Sequence, residues 1–320
     1  MASRSHRRSP PRARLAAIVL ILLVAAVTAF LVACPPTAPK APVIPEKPAL
    51  EPVEKPPAAT PAEQPPARQV RPQAEPPAAP RPSSARPEHP QPEAGLLAVV
   101  IDDAGYSLGE LQAFLDLPGP LTVAVLPNLP HSTEAARRVI AAGKDLILHC
   151  PMEPVGGENP GPGAILTGQS AAQQEALLAA AFATVPGAIG MNNHMGSRAT
   201  ADEQLMTTVL GYLKRHDLFF LDSRTTAETV GPRVAERLGE PFVQRDVFVD
   251  VDTAPADVDA SFAKGIDEAH ARGSSVVIGH VQNASVAAIL RQRIGTLAAR
   301  GVRLAHLGEV MTMREGDAGR

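Results

Sequence analysis

The sequence predicts a parallel α/β fold, a (β/α) barrel of seven to eight units, and three observations carry that expectation. From Gly95 onward, short apolar runs alternate with helical stretches. The first run, Leu96-Leu97-Ala98-Val99-Val100-Ile101, has no polar position, as a strand buried on both faces requires. Polar, chemically active residues recur just where such runs finish, and the C-terminal rim of the strands is where α/β folds carry their sites.

Ahead of this region the chain has a different character. Arg4, Arg7, Arg8, Arg12 and Arg14 precede an uncharged apolar run from Leu15 to Ala33. That run is long enough to span a bilayer, and its flanking arginines would keep the N-terminus cytoplasmic. Residues 1–34 are therefore expected to be a basic stub followed by a membrane anchor or signal segment. Leu31-Val32-Ala33-Cys34 also resembles a bacterial lipobox, which would instead make an acylated Cys34 the mature N-terminus. Both alternatives place the rest of the chain outside the cytoplasm, membrane-tethered in the cell envelope or periplasm. Most of the 34 prolines precede Gly95. Residues 35–94 combine them with Ala and charge and hold few large apolar side chains, so a disordered linker is expected. Residues 95–320 remain as one folded domain.

Within that domain the expected strands are Leu96–Ile101, Leu121–Leu126, Asp145–His149, Ala188–Asn192, Leu218–Leu221, Val247–Val249, Ser275–Gly279 and Val302–Ala305. The helical stretches between them lie near Leu108–Leu115, Ser132–Ala142, Ala171–Ala183, Ala201–His216, Val230–Leu238, Val258–Arg272 and Ser285–Arg300. Leu205, Val209, Leu210 and Leu213 give the fourth of these a helical apolar stripe. Strict alternation implies right-handed crossovers and parallel pairing. The net charge of −3 gives no electrostatic case for nucleic acid, and two cysteines, Cys34 and Cys150, make no disulfide framework.

The first run ends in Asp102-Asp103. Adjacent carboxylates repel unless a cation lies between them or one keeps its proton. One reading puts one acid on a metal with its neighbour free as a base; the other makes Asp102 a helix N-cap and Asp103 a loop acid. His149 ends the third strand, His194 and Ser197-Arg198 follow Asn192-Asn193 after the fourth, Asp222 ends the fifth, and His280 ends a late one. In a barrel these converge on one rim, and imidazole with carboxylate suits zinc or a similar divalent ion.

With these motifs the chain resembles the polysaccharide deacetylases, and more closely their divergent branch. The resemblance runs from Leu97 to Leu307. It is carried by Val100-Ile101-Asp102-Asp103-Ala104-Gly105, Leu148-His149-Cys150-Pro151-Met152-Glu153-Pro154, Asn192-Asn193-His194-Met195-Gly196-Ser197, Leu221-Asp222-Ser223-Arg224 and Ile278-Gly279-His280. It implies Asp102 as general base, Asp103 and His149 as metal ligands, His280 as general acid, and Asp222 as the acid that orients His280. Better-known members carry His-x-x-x-His after the third strand; here the second position is Glu153. His194 is taken as the third ligand, with Glu153 as either a fourth ligand or a hydrogen-bonding partner. Asn192, Asn193 and Arg198 would donate hydrogen bonds to an oxyanion or a sugar, or else satisfy loop backbone. Ser197 sits in no G-x-S-x-G elbow, against a serine hydrolase.

The function implied is zinc-dependent removal of N-acetyl groups from an envelope polysaccharide. Only 3 % of residues are aromatic, few for stacking sugars. The alternatives are a non-catalytic, metal-containing module that binds a glycan or an envelope protein, and an amidohydrolase acting on a non-sugar amide.

Overall fold

A computed structural model describes residues 94–318. The expected anchor or signal segment, the lipobox at Cys34 and nearly all of the Pro-rich linker lie outside the described residues. No helix among the described residues is long and apolar enough to cross a membrane.

Among the described residues, nine parallel strands form one sheet: β1 (Gly95–Ala104), β2 (Thr122–Val125), β3 (Asp145–Met152), β4 (Gly190–Met195), β5 (Phe219–Asp222), β6 (Phe242–Gln244), β7 (Val247–Phe248), β8 (Ser274–His280) and β9 (Val302–Leu304). The order is β6-β5-β4-β3-β2-β1-β8-β7, with β9 paired to the start of β1. Eight α-helices accompany them in the described residues: α1 (Leu108–Leu115), α2 (Ser132–Ala141), α3 (Ala171–Thr184), α4 (Glu203–Arg215), α5 (Gly231–Leu238), α6 (Pro255–Arg272), α7 (Ala284–Ile294) and α8 (Leu307–Ala318).

The regular barrel expected from the alternation is here a parallel-strand half-barrel. β5 and β8 are bridged only by the short run β6–β7, which pairs with β5 as far as Gln244 and with β8 from Val247. The backbone changes partner between Arg245, whose N–H donates to Asp222 O, and Asp246, whose N–H donates to Val276 O. Two other expectations differ. The last predicted helix breaks near Gly295 into α7 and a 3₁₀ turn, Ala298–Arg300, and β6 and α8 were not foreseen.

Alternation along the strands sorts side chains into two layers. Leu96, Ala98 and Val100 of β1 point into the half-barrel with Ala124, Ile147, Leu221, Val243, Val276 and Ile278. Leu97, Val99 and Ile101 face the surrounding helices with Val123, Leu148, Phe220 and Val277. Leu307, Val310 and Met311 of α8 close the inner cluster from below. The helix starts are specified locally. Ser107 caps α1, Ser170 and Gln173 form a reciprocal capping box on α3, and Asp202 caps α4. Ser107 thus takes the capping role considered for Asp102.

Candidate metal centre

The inward parity of each strand continues to the rim. Asp102, His149 and His280 occupy the same face as the inner apolar residues Val100, Ile147 and Ile278 two positions before them, and neighbouring strands set the polar residues side by side: Asp102 opposite His280, and His149 opposite Asn192. Asp103 would point outward by the same alternation. It does not, because its φ of 65° is left-handed and the β1–β2 register shifts between Ile101 and Ala104. The kink lets adjacent carboxylates share one pocket. His194 is likewise followed by Met195 at φ 53°.

Three ligand atoms meet there. Asp103 Oδ1 lies 3.1 Å from His149 Nε2 and 3.0 Å from His194 Nδ1, and the two nitrogens are 3.1 Å apart. Among the described residues this is the group of His, Cys, Asp and Glu with the spacing a metal ion needs. Asp103 Oδ1 is buried yet receives no well-formed hydrogen bond. Zinc ligands at ~2.0–2.1 Å in a tetrahedron stand about 3.3 Å from one another, so this near-equilateral triangle fits one face of such a site. The residues therefore fit a divalent ion with an open position toward solvent, since His194 keeps 23 % of its side-chain surface exposed.

Asp102 stands beside this triangle without joining it, its Oδ2 3.7 Å from His149 Nε2. It is 1 % exposed. Burial raises its pKa above the usual carboxylate value, against the opposing pull of His149, His280 and a hydrogen bond from Asn192. Burial also disfavours the Asp103 anion, but the two imidazoles outweigh it and hold that carboxyl well below the usual range. His149 Nδ1 is 2.7 Å from Asn192 Oδ1, and Asn192 Nδ2 donates to Asp102 Oδ1 at 2.8 Å.

His280 shows where family resemblance misassigned a partner. Its Nδ1 is 2.9 Å from Asp250 Oδ1, and its backbone N–H donates to Asp250 Oδ2. Asp222, the expected orienting acid, shares the outward parity of Phe220. It accepts from Arg224 N and Thr229 Oγ1 and makes no contact with His280. Asp250 follows Phe248 by two positions and inherits its inward parity, the one signal by which the sequence could have located it. Phe248 stacks against the His280 ring at 5.7 Å, with the Arg245 guanidinium on Phe248 at 3.8 Å. Burial lowers the His280 pKa, but the Asp250 hydrogen bond and the charges of Asp102, Asp250 and Asp103 more than reverse this, raising it to about 9.

The remaining candidates are loop-builders. Glu153 is not a fourth ligand: its Oε2 accepts from the backbone N–H and Oγ1 of Thr167, and its Oε1 pairs with Arg198 Nε at 3.2 Å. Arg198 also donates to Val155 O, and Ser197 Oγ accepts from Val155 N. Asn193 faces outward, accepting from Ser223 N and donating to Met195 O. These residues tie the β3 and β4 loops together.

Fold and site together define a parallel α/β half-barrel with an Asp-His-His donor set on its rim. A family model described as divergent polysaccharide deacetylase matches residues 99–311, and the chain belongs to that family. It is 39 % identical over 193 residues to an uncharacterized protein of Haemophilus influenzae, covering 60 % of this chain and 69 % of that one. It is 36 % identical over 204 residues to the uncharacterized protein YibQ of Escherichia coli, covering 64 % of each. A crystal structure of an uncharacterized Agrobacterium tumefaciens protein has the same fold: TM-score 0.65, 22 % identity, 71 % of this chain and 91 % of that one.

Proposed function

We propose that this protein is a zinc-dependent hydrolase that removes N-acetyl groups from an envelope glycan. The observation that carries this reading is a three-donor triangle with two ionisable groups left out of it, Asp102 and, next to it in the β1–β8 register, the Asp250-held His280. A divalent ion bound by Asp103, His149 and His194 would polarise the amide carbonyl and make water more acidic. Asp102, buried and with a raised pKa, is suited to take the proton from the attacking water. His280, protonated at neutral pH, is suited to give one to the departing amine. The C–N bond breaks, water supplies the new C–O bond, and acetate and a free amine leave.

The alternative, a non-catalytic module that binds a glycan or an envelope protein, leaves Asp102 and the Asp250-held His280 without a task, and their presence beside the donor triangle favours the hydrolase. The N-terminal sequence supports a membrane-tethered placement in the envelope, where such glycans lie.

The test is acetate release from N-acetylated envelope glycans by the zinc-loaded full chain and two variants. Asp102→Asn and His280→Ala should each keep their zinc and lose roughly 10²- to 10⁴-fold in turnover. A zinc-loaded wild type that releases no acetate, or variants as active as wild type, would contradict the reading.

A further inference from the structure

Asn192 lies between two groups to which the proposed function gives separate tasks. It is fully buried and sits opposite His149 in the β3–β4 register. Its Oδ1 faces His149 Nδ1 at 2.7 Å, and its Nδ2 reaches Asp102 Oδ1 at 2.8 Å and Ser223 Oγ at 3.2 Å. An amide oxygen only accepts and an amide nitrogen only donates, whereas a carboxylate only accepts. Reversing the amide would set its oxygen against the carboxylate, so Asp102 fixes the sense in which Asn192 lies. That sense in turn requires His149 to donate from Nδ1. The neutral imidazole then has its lone pair on Nε2, the atom that enters the donor triangle. One side chain thereby decides the tautomer of a ligand and the orientation of the neighbouring acid.

We propose that Asn192 is a positioning residue that joins the base and the metal ligand into one unit. It presents His149 Nε2 to the cation and holds Asp102 in place through its other end. The inference rests on the reading of Asp103, His149 and His194 as a metal site. A buried asparagine that merely satisfied its neighbours' hydrogen bonds would affect stability without distinguishing metal binding from turnover.

The two ends can be separated by substitution. Asn192→Asp keeps an acceptor for the His149 Nδ1–H and replaces the donor to Asp102 with a repelling group. Asn192→Ala removes both. Zinc affinity is read by competition with a chromophoric chelator and turnover by acetate release, both in the full chain. Asn192→Asp should bind zinc at least as tightly as wild type while its kcat falls at unchanged KM. Asn192→Ala should lose kcat and also about 10- to 100-fold in zinc affinity, the usual cost of losing a partner behind a metal ligand. Equal losses of affinity in the two variants, or a folded Asn192→Ala that binds zinc as wild type does, would overturn the proposal. If Asn192→Ala does not fold, Asn192→Asp decides: retained affinity with lost turnover supports the proposal, and lost affinity overturns it. Nitrogen-15 shifts of His149 in zinc-free protein, at alkaline pH where the ring is neutral, give an independent reading. Protonation on Nδ1 is expected, and protonation on Nε2 would overturn the proposal. A wild-type chain that binds no zinc would sink the metal reading, while the His149 tautomer would still report on Asn192.

Discussion

His280 and its acid show how much one residue's partner decides. The His280 pKa of about 9 stands above the ordinary 6.5, so the folded protein binds this proton more tightly than the unfolded chain. The pair's contribution to stability is therefore complete below pH 6.5 and is lost as pH rises through about 9. Turnover that needs the His280 proton should decline over the upper part of the same window. Asp250→Asn should move that alkaline limb to lower pH in a pH–rate profile, and an unmoved limb would contradict the assignment. Asp222→Ala should leave the limb and zinc affinity where they are. It should lower the melting temperature instead, because the backbone N–H of Arg224 and Thr229 Oγ1 lose a buried acceptor, a cost of about 1–3 kcal/mol. Asp102, Asp103, His149, Asp222 and His280 could be picked out in the sequence because each closes an apolar run, and His194 because it follows Asn192-Asn193 at the end of the fourth strand. Strand parity sets Asp222 apart from the inward-facing side chains, whereas Asp103 joins them only through its left-handed backbone.

At the scale of elements, the site depends on what strands do as they end. β1, β4 and β5 each run out through a left-handed non-glycine residue: Asp103 at φ 65°, Met195 at φ 53° and Arg224 at φ 49°. Met and Arg rarely adopt that conformation, and Asp, though it enters it more readily than most, does so at few positions, so the turn that brings Asp103 beside Asp102 could not be read from composition. Such backbone costs a non-glycine residue about 1–2 kcal/mol. Asp103→Gly should therefore melt higher than Asp103→Ala when both are zinc-free, although both lose the metal; equal melting points would show that the kink is unstrained. The overlooked elements were faint for physical reasons. β6 has three residues and one buried side chain, Val243, while α8, among its described side chains, buries only Leu307, Val310 and Met311 near its start. Long, fully buried β1 and β8 were clear because both their faces are apolar.

For the molecule as a whole, the half-barrel keeps its apolar contents and its chemistry at different heights of the same strands. Leu96, Ala98 and Val100, Val276 and Ile278, and the α8 residues form an apolar interior, and the polar groups Asp102 and His280 begin two residues above it. Alternation of strand and helix makes this arrangement readable in the sequence; the opening between β5 and β8, and its bridging by β6–β7, depend on a partner switch at Arg245-Asp246 that no pattern of hydrophobicity marks. The central claim is that this rim holds one divalent ion on Asp103, His149 and His194, and X-ray absorption at the metal edge of the zinc-loaded full chain tests it most directly. The account predicts one zinc per chain, four-coordinate, with two imidazole nitrogens at ~2.0–2.1 Å and oxygen ligands at ~2.0–2.2 Å, and loss of one imidazole contribution or of the metal itself in His149→Ala. A chain that takes up no divalent metal, or a coordination shell without imidazole, would contradict it.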